Sequence, residues 1–207
     1  LVLCGLLGPL AMLRPGALSL LPPAYDQSRP SAAFGPLLDT LEEGRHGGAF
    51  CDTRAKWLRS TLAQDRNTPT IIAMHHPPVE IGIAWMNTHA EEQWVSNFTR
   101  AIEDAPNVKG IICGHVHRSI AVPWQGTSVA ICSSTAPQVA LDLNPIDPEN
   151  PDDRPMIVAD QPAYALHLWN GRELVSHFDS AGDRAVLAKY DDRLQALIKQ
   201  LIVERPN

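Results

Sequence analysis

The chain has 207 residues, 44% of them hydrophobic, with 17 basic against 23 acidic side chains for a net charge of -6. That length and apolar content suit one domain with a substantial core, and the negative balance argues against a grip on a nucleic-acid backbone. The four cysteines, Cys4, Cys51, Cys113 and Cys132, are widely spaced with no CxxC pair, which suits reduced thiols and a cytoplasmic setting.

Leu1 to Leu13 is strongly apolar, broken only by Gly5, Gly8 and Pro9. A membrane span needs about 20 apolar residues, and no charged segment precedes the run nor does a small-residue cleavage site follow it. Leu1 to Gly5 is expected to be a buried strand, with a poor helix up to about Leu21; the starting leucine suggests a fragment. Asp39 closes the pair Leu37-Leu38, and a polar loop with Gly44, Gly47 and Gly48 follows, in which His46 is expected to be solvated. A helix is predicted from Asp52 or Thr53, with Ala55, Trp57, Leu58 and Leu62 on its buried face.

Thr70 to Pro78, TIIAMHHPP, is a strand that stops at histidine, and Pro77 and Pro78 end it because proline donates no ladder hydrogen bond. The loop Val79 to Thr88, with Ile81, Ile83, Trp85 and Met86, suits either its own core or a contact with a second copy of the chain. Glu91 to Asp104 is a predicted helix with Trp94, Val95, Phe98 and Ile102 as its apolar stripe. Val108 to His117, VKGIICGHVH, is a second strand stopping at histidine. The pieces 119–124, 127–132 and 138–143 read as a second, more antiparallel sheet. Asn144 to Arg154 is a loop whose acids Asp147, Glu149, Asp152 and Asp153 are expected to be solvated. Strands 164–169 and 173–178 flank Asn170-Gly171, a strong hairpin signal, and carry His167 and His177 as structural residues. Asp183 to Glu204 is predicted as one amphipathic helix capped by Asp183.

Short apolar runs bounded by turns suit a parallel sheet, whose ligands gather beyond the carboxyl ends of the strands. His75, His76, His115 and His117 would all emerge there, with Gly114 giving a tight turn. A lone histidine at a strand end is more often a hydrogen-bonded structural residue than a ligand. Neutral imidazoles converging from two neighbouring strands are a metal-ligand arrangement.

GHVH at 114–117, preceded by HHPP at 75–78, resembles the last two signature blocks of the calcineurin-like metallophosphoesterases, in the branch of class III cyclic-nucleotide phosphodiesterases and bacterial glycerophosphodiesterases. Leu38-Asp39-Thr40 with a following Gly-Gly, the run AMHHPPVEIGIAWM, and MIVADQPAYALHLW from Met156 to Trp169 add to the resemblance. It implies an α/β fold, a layered sandwich of two mixed β-sheets flanked by helices and N-terminally incomplete. The domain would span 1–182, with 183–207 as an amphipathic helix packed on it or on a partner such as a second copy.

It also implies a hydrolase for small soluble phosphodiesters, such as cyclic nucleotides or glycerophosphodiesters, at a binuclear centre of Mn, Fe, Zn or Co, with no nucleic-acid polymer and no membrane as partner. His75 and His115 would bind one ion and His117 the other, with His76 on the substrate side. The pattern is departed from where Gly5 is followed by Leu6 in place of a bridging aspartate. The segment LPPAYDQSRPSAAF lacks the Asn and His of the Gly-Asn-His-Asp block, and the opening Asp-x-His strand would lie upstream of Leu1. Activity is therefore expected to be impaired, with one ion or none, and no catalytic residue is assigned. The competing reading is a non-catalytic metal-binding or interaction domain, and Asp39 is the acid whose distance from the histidines bears on the choice.

Overall fold

The computed structural model describes residues 33–205, so the expected strand Leu1 to Gly5, the helix up to Leu21, and Cys4 and Leu6 lie outside the described residues. β-branched and aliphatic runs form the main sheet. β1 (Ala33–Leu38), β2 (Thr70–Met74), β3 (Val108–Cys113), β4 (Ile120–Trp124) and β5 (Thr127–Ile131) pair in the order β1-β2-β3-β5-β4, all parallel except the β4–β5 hairpin. Among the described residues the two outer strands each contain a proline, Pro36 in β1 and Pro123 in β4, and β1 slips register between Phe34 and Leu37.

The pleat sends alternate residues to opposite faces. Ile72, Met74, Ile111, Cys113, Val129 and Ile131 join the main core with α1 (Asp52–Gln64) and α2 (Gln93–Ile102), which supply Leu58, Leu62, Trp94, Val95, Phe98 and Ile102. Ile71, Ile112 and Ala130 face the other way. There the antiparallel hairpin of two further strands, 163–169 and 174–180, covers them through Leu174 and Phe178. A Cβ on Gly110 would lie 2.5 Å from Leu174 Cδ2, so glycine there lets Leu174 of the hairpin settle against the sheet in its present rotamer. The result is the α/β fold expected, with helices on one face of a mostly parallel sheet and a smaller sheet on the other.

Several elements differ from expectation. The segments around 120 and 130 join the main sheet instead of building a second one, because three consecutive buried residues, Val129, Ala130 and Ile131, suit a strand covered on both faces. The next strand ends early, as β6 (Gln138–Val139) pairs only with β7 (Ile157–Val158), and Leu141 and Leu143 are exposed. The hairpin strands are thus β8 (Ala163–Trp169) and β9 (Leu174–Ser180), turning at Gly171 with φ 97°.

Trp57 is 51% exposed, one position off the buried stripe Ala55, Leu58 and Leu62. The 79–88 loop closes on its own core, with Val79, Ile83 and Met86 buried and Trp85 packed against them. The last helix, α3 (Asp192–Val203), starts nine residues later than predicted, where the Asp191 carboxylate accepts from the Arg193 and Leu194 amides. None of its residues is buried, and Val186, Leu187 and Tyr190 before it are exposed. No helix among the described residues is long and apolar enough to cross a membrane.

Candidate metal centre

Met74 and Cys113 are register partners at the ends of β2 and β3, and the Gly114 amide donates to the His75 carbonyl at 3.1 Å. The two histidine segments therefore leave the sheet side by side. Beyond that point the turn is made by the histidines themselves, not by Gly114, since His115 and His117 have φ of 69° and 53°. That left-handed backbone is uncommon for residues other than glycine and clusters at functional sites. Val116, fully buried in the main core, pins the turn between them.

The ligand nitrogens of His75, His76 and His115 all lie within 4.8 Å of one another. His75 Nε2 and His115 Nδ1 are 3.2 Å apart. His117 stands outside this group; its Nδ1–H donates to the Pro137 carbonyl at 2.9 Å, leaving Nε2 as the unprotonated nitrogen when the ring is neutral. The backbone carbonyl of His46 accepts from His76 Nε2 at 3.2 Å, and its ring lies 4.9 Å from that of His115. Thr40, fully buried, places its hydroxyl 2.9 Å from His76 Nδ1.

Burial lowers the pKa of His75, and the nearby charges of His117 and His46 lower it further. His76 is brought down to about 4, mainly by burial and then by the charge of His75. His115 is brought to about 3 by burial first and its histidine neighbours second. All three rings are thus neutral near pH 7, the state in which imidazole binds a metal.

Asp39 does not reach this group. Its carboxylate is 3.0 Å from the Arg54 guanidinium through Oδ2 and accepts the Leu41 amide through Oδ1. Among the described residues no carboxylate joins the three histidines. Thr40 and His46 are the neighbours that sequence reasoning missed. The only signal was the Leu38-Asp39-Thr40 and Gly-Gly block, whose loop folds back so tightly that a Cβ on Gly48 would lie 2.7 Å from the Trp94 ring and 3.1 Å from His76 Cβ.

The family model described as calcineurin-like phosphoesterase matches residues 30–119, which hold β1 to β3 together with His75, His76, His115 and His117. Over that stretch, somewhat under half of its length, the chain is similar to the calcineurin-like phosphoesterases. Similar curated proteins include the "Probable glycerophosphodiester phosphodiesterase GpdQ" of Arcobacter nitrofigilis, 29% identical over 70% of this chain and 51% of that one. The 3',5'-cyclic adenosine monophosphate phosphodiesterase CpdA of Vibrio vulnificus is 34% identical over 49% of this chain and 37% of that one. The glycerophosphodiester phosphodiesterase GpdQ of Enterobacter lignolyticus is 28% identical over 76% and 54%. The matches thus span about half of these relatives or less.

Calcineurin-like phosphoesterases use divalent metals, and the donor set of this domain can be tested against that. Two nitrogens each 2.0–2.1 Å from a tetrahedral zinc ion lie about 3.3 Å apart; the observed His75–His115 separation is 3.2 Å. The pair fits one divalent ion. A second ion would need carboxylate charge that no described residue brings to the group.

Proposed function

We propose that this domain is a metal-dependent phosphodiesterase scaffold that holds one divalent cation through His75 and His115. We further propose that its own hydrolysis of small phosphodiesters, such as cyclic nucleotides or glycerophosphodiesters, is weak. The observation that carries the metal reading is the 3.2 Å approach of two neutral imidazole nitrogens at the carboxyl end of the sheet. The substrate class rests on the relatives named above.

A bound cation would supply Lewis acidity to a phosphoryl oxygen and acidify a water. His75 and His115, kept neutral by burial, would each contribute a ring lone pair. His117 lies outside the ligand group, its ring oriented by the Pro137 carbonyl. The weakness follows from Asp39, whose carboxylate is engaged by Arg54 and the Leu41 amide rather than by the centre. The same observation favours a second reading, a non-catalytic metal-binding domain. We place the protein in the cytoplasm on the spacing of its cysteines.

The test is metal content per chain after purification in Mn²⁺ or Zn²⁺, with hydrolysis of bis(p-nitrophenyl) phosphate assayed on the same sample and on His115→Ala. One ion with slow hydrolysis, both lost in the variant, supports the main reading. One ion without hydrolysis selects the second, and an absence of bound metal refutes both.

A further inference from the structure

His76 lies within ligand distance of His75 and His115, yet both of its ring nitrogens are already used. A carbonyl oxygen can only accept, so the 3.2 Å contact between Nε2 and the His46 carbonyl requires the proton on Nε2. A neutral ring then has its lone pair on Nδ1, and the Thr40 hydroxyl, 2.9 Å away, must donate to it. The same hydroxyl oxygen accepts the His76 backbone amide at 3.2 Å, while the Thr40 carbonyl accepts the Ala49 amide at 2.9 Å. One fully buried threonine therefore ties the end of β2 to the glycine-rich loop and satisfies His76 at two points. The ring so held packs 4.4 Å from His115 and 4.7 Å from His75, centroid to centroid.

We infer that Thr40 is a positioning residue for the histidine centre: with the His46 carbonyl holding the proton on Nε2, its hydroxyl donates to Nδ1 and locks the ring, which keeps His76 out of the ligand set and makes its ring the wall against which His115 is set. The clamp stands on the hydrogen bonds alone, whereas its effect on a cation rests on the metal site proposed above. A ring turned to ligate would leave the buried Thr40 hydroxyl and the His46 carbonyl without their partner.

Long-range ¹H–¹⁵N spectra of the histidine side chains test this, first without metal and then with Zn²⁺ alone. The expected result is a single Nε2–H tautomer for His76 that survives zinc addition, while His75 and His115 shift. Thr40→Val is expected to shift the His76 Nδ1 resonance to that of a nitrogen without a hydrogen bond and to bind Zn²⁺ about tenfold more weakly, the scale typical of groups that orient metal ligands. Thr40→Ser is expected to keep both. An Nδ1–H tautomer in the wild type, deprotonation of His76 by zinc, or an unchanged His76 Nδ1 resonance in Thr40→Val would each overturn the clamp. Should Thr40→Val not fold, the wild-type spectra with and without zinc decide. If no Zn²⁺ binds, the metal site falls, and the metal-free spectra still judge the clamp on their own.

Discussion

At the scale of single residues, the centre is defined by which polar groups are already spoken for. Asp39 is engaged by Arg54 and the Leu41 amide, so Asp39→Asn is expected to leave Zn²⁺ affinity within about twofold. As an exposed ion pair it should cost less than about 1 kcal/mol of stability in urea unfolding. A tenfold loss of zinc binding would instead place Asp39 at the metal.

The lowered histidine pKa values carry a sign. His76 and His115 titrate at about 4 and about 3 in the folded protein, against an ordinary 6.5. Between those limits the unfolded chain holds more protons, so the metal-free protein is expected to lose stability as pH falls from about 6.5 towards 4. The slope is up to about 1.4 kcal/mol per pH unit for each ring, and stability should be flat in these groups above that range. Urea midpoints at about pH 7.5, 6 and 5 check this; equal midpoints would mean that the rings protonate freely. His75, His76 and His115 were legible in the sequence because two apolar runs stop at histidine. Thr40 and the His46 carbonyl were not, since their contacts span 30 and 36 residues of chain with no periodicity to announce them.

At the scale of elements, burial separates what holds the domain from what merely decorates it. Phe98 of α2 is fully buried, edge-on to Phe50 and stacked on Trp124, whereas α3 has no buried residue. Phe98→Ala is expected to cost about 3–5 kcal/mol, while removal of residues 191–207 should shift the urea midpoint little. A large loss on removing α3 would mean that its apolar side is covered in solution. The same contrast explains the sequence reading. The α2 stripe was legible because a helix with one side on the core and the other towards solvent must show a 3.6-residue period. Trp57 and the start of α3 were misjudged because an exposed element leaves its apolar residues unconstrained by any core, and β4 and β5 were misassigned because sheet membership is decided by a distant partner, β3, rather than by local pattern.

At the scale of the whole molecule, a cation bound by β2 and β3 segments joins the centre of the sheet to its own stability. Zinc at 100 times its dissociation constant should add about 2.7 kcal/mol, read as a rise in Tm that EDTA reverses and His115→Ala abolishes. A Tm indifferent to zinc would count against the site. The prolines of the two outer strands have a different consequence. Pro36 and Pro123 each remove an amide from an edge of the five-stranded sheet, and the register slip in β1 bends that edge further. An edge that cannot offer a continuous row of donors is a poor template for another strand, so growth of one sheet onto the next is disfavoured at these two edges of the described sheet. Pro123→Val is expected to leave the centre intact yet raise the rate of thioflavin-positive fibre formation on mild heating, which makes these two rings the chain's guard against its own polymerisation.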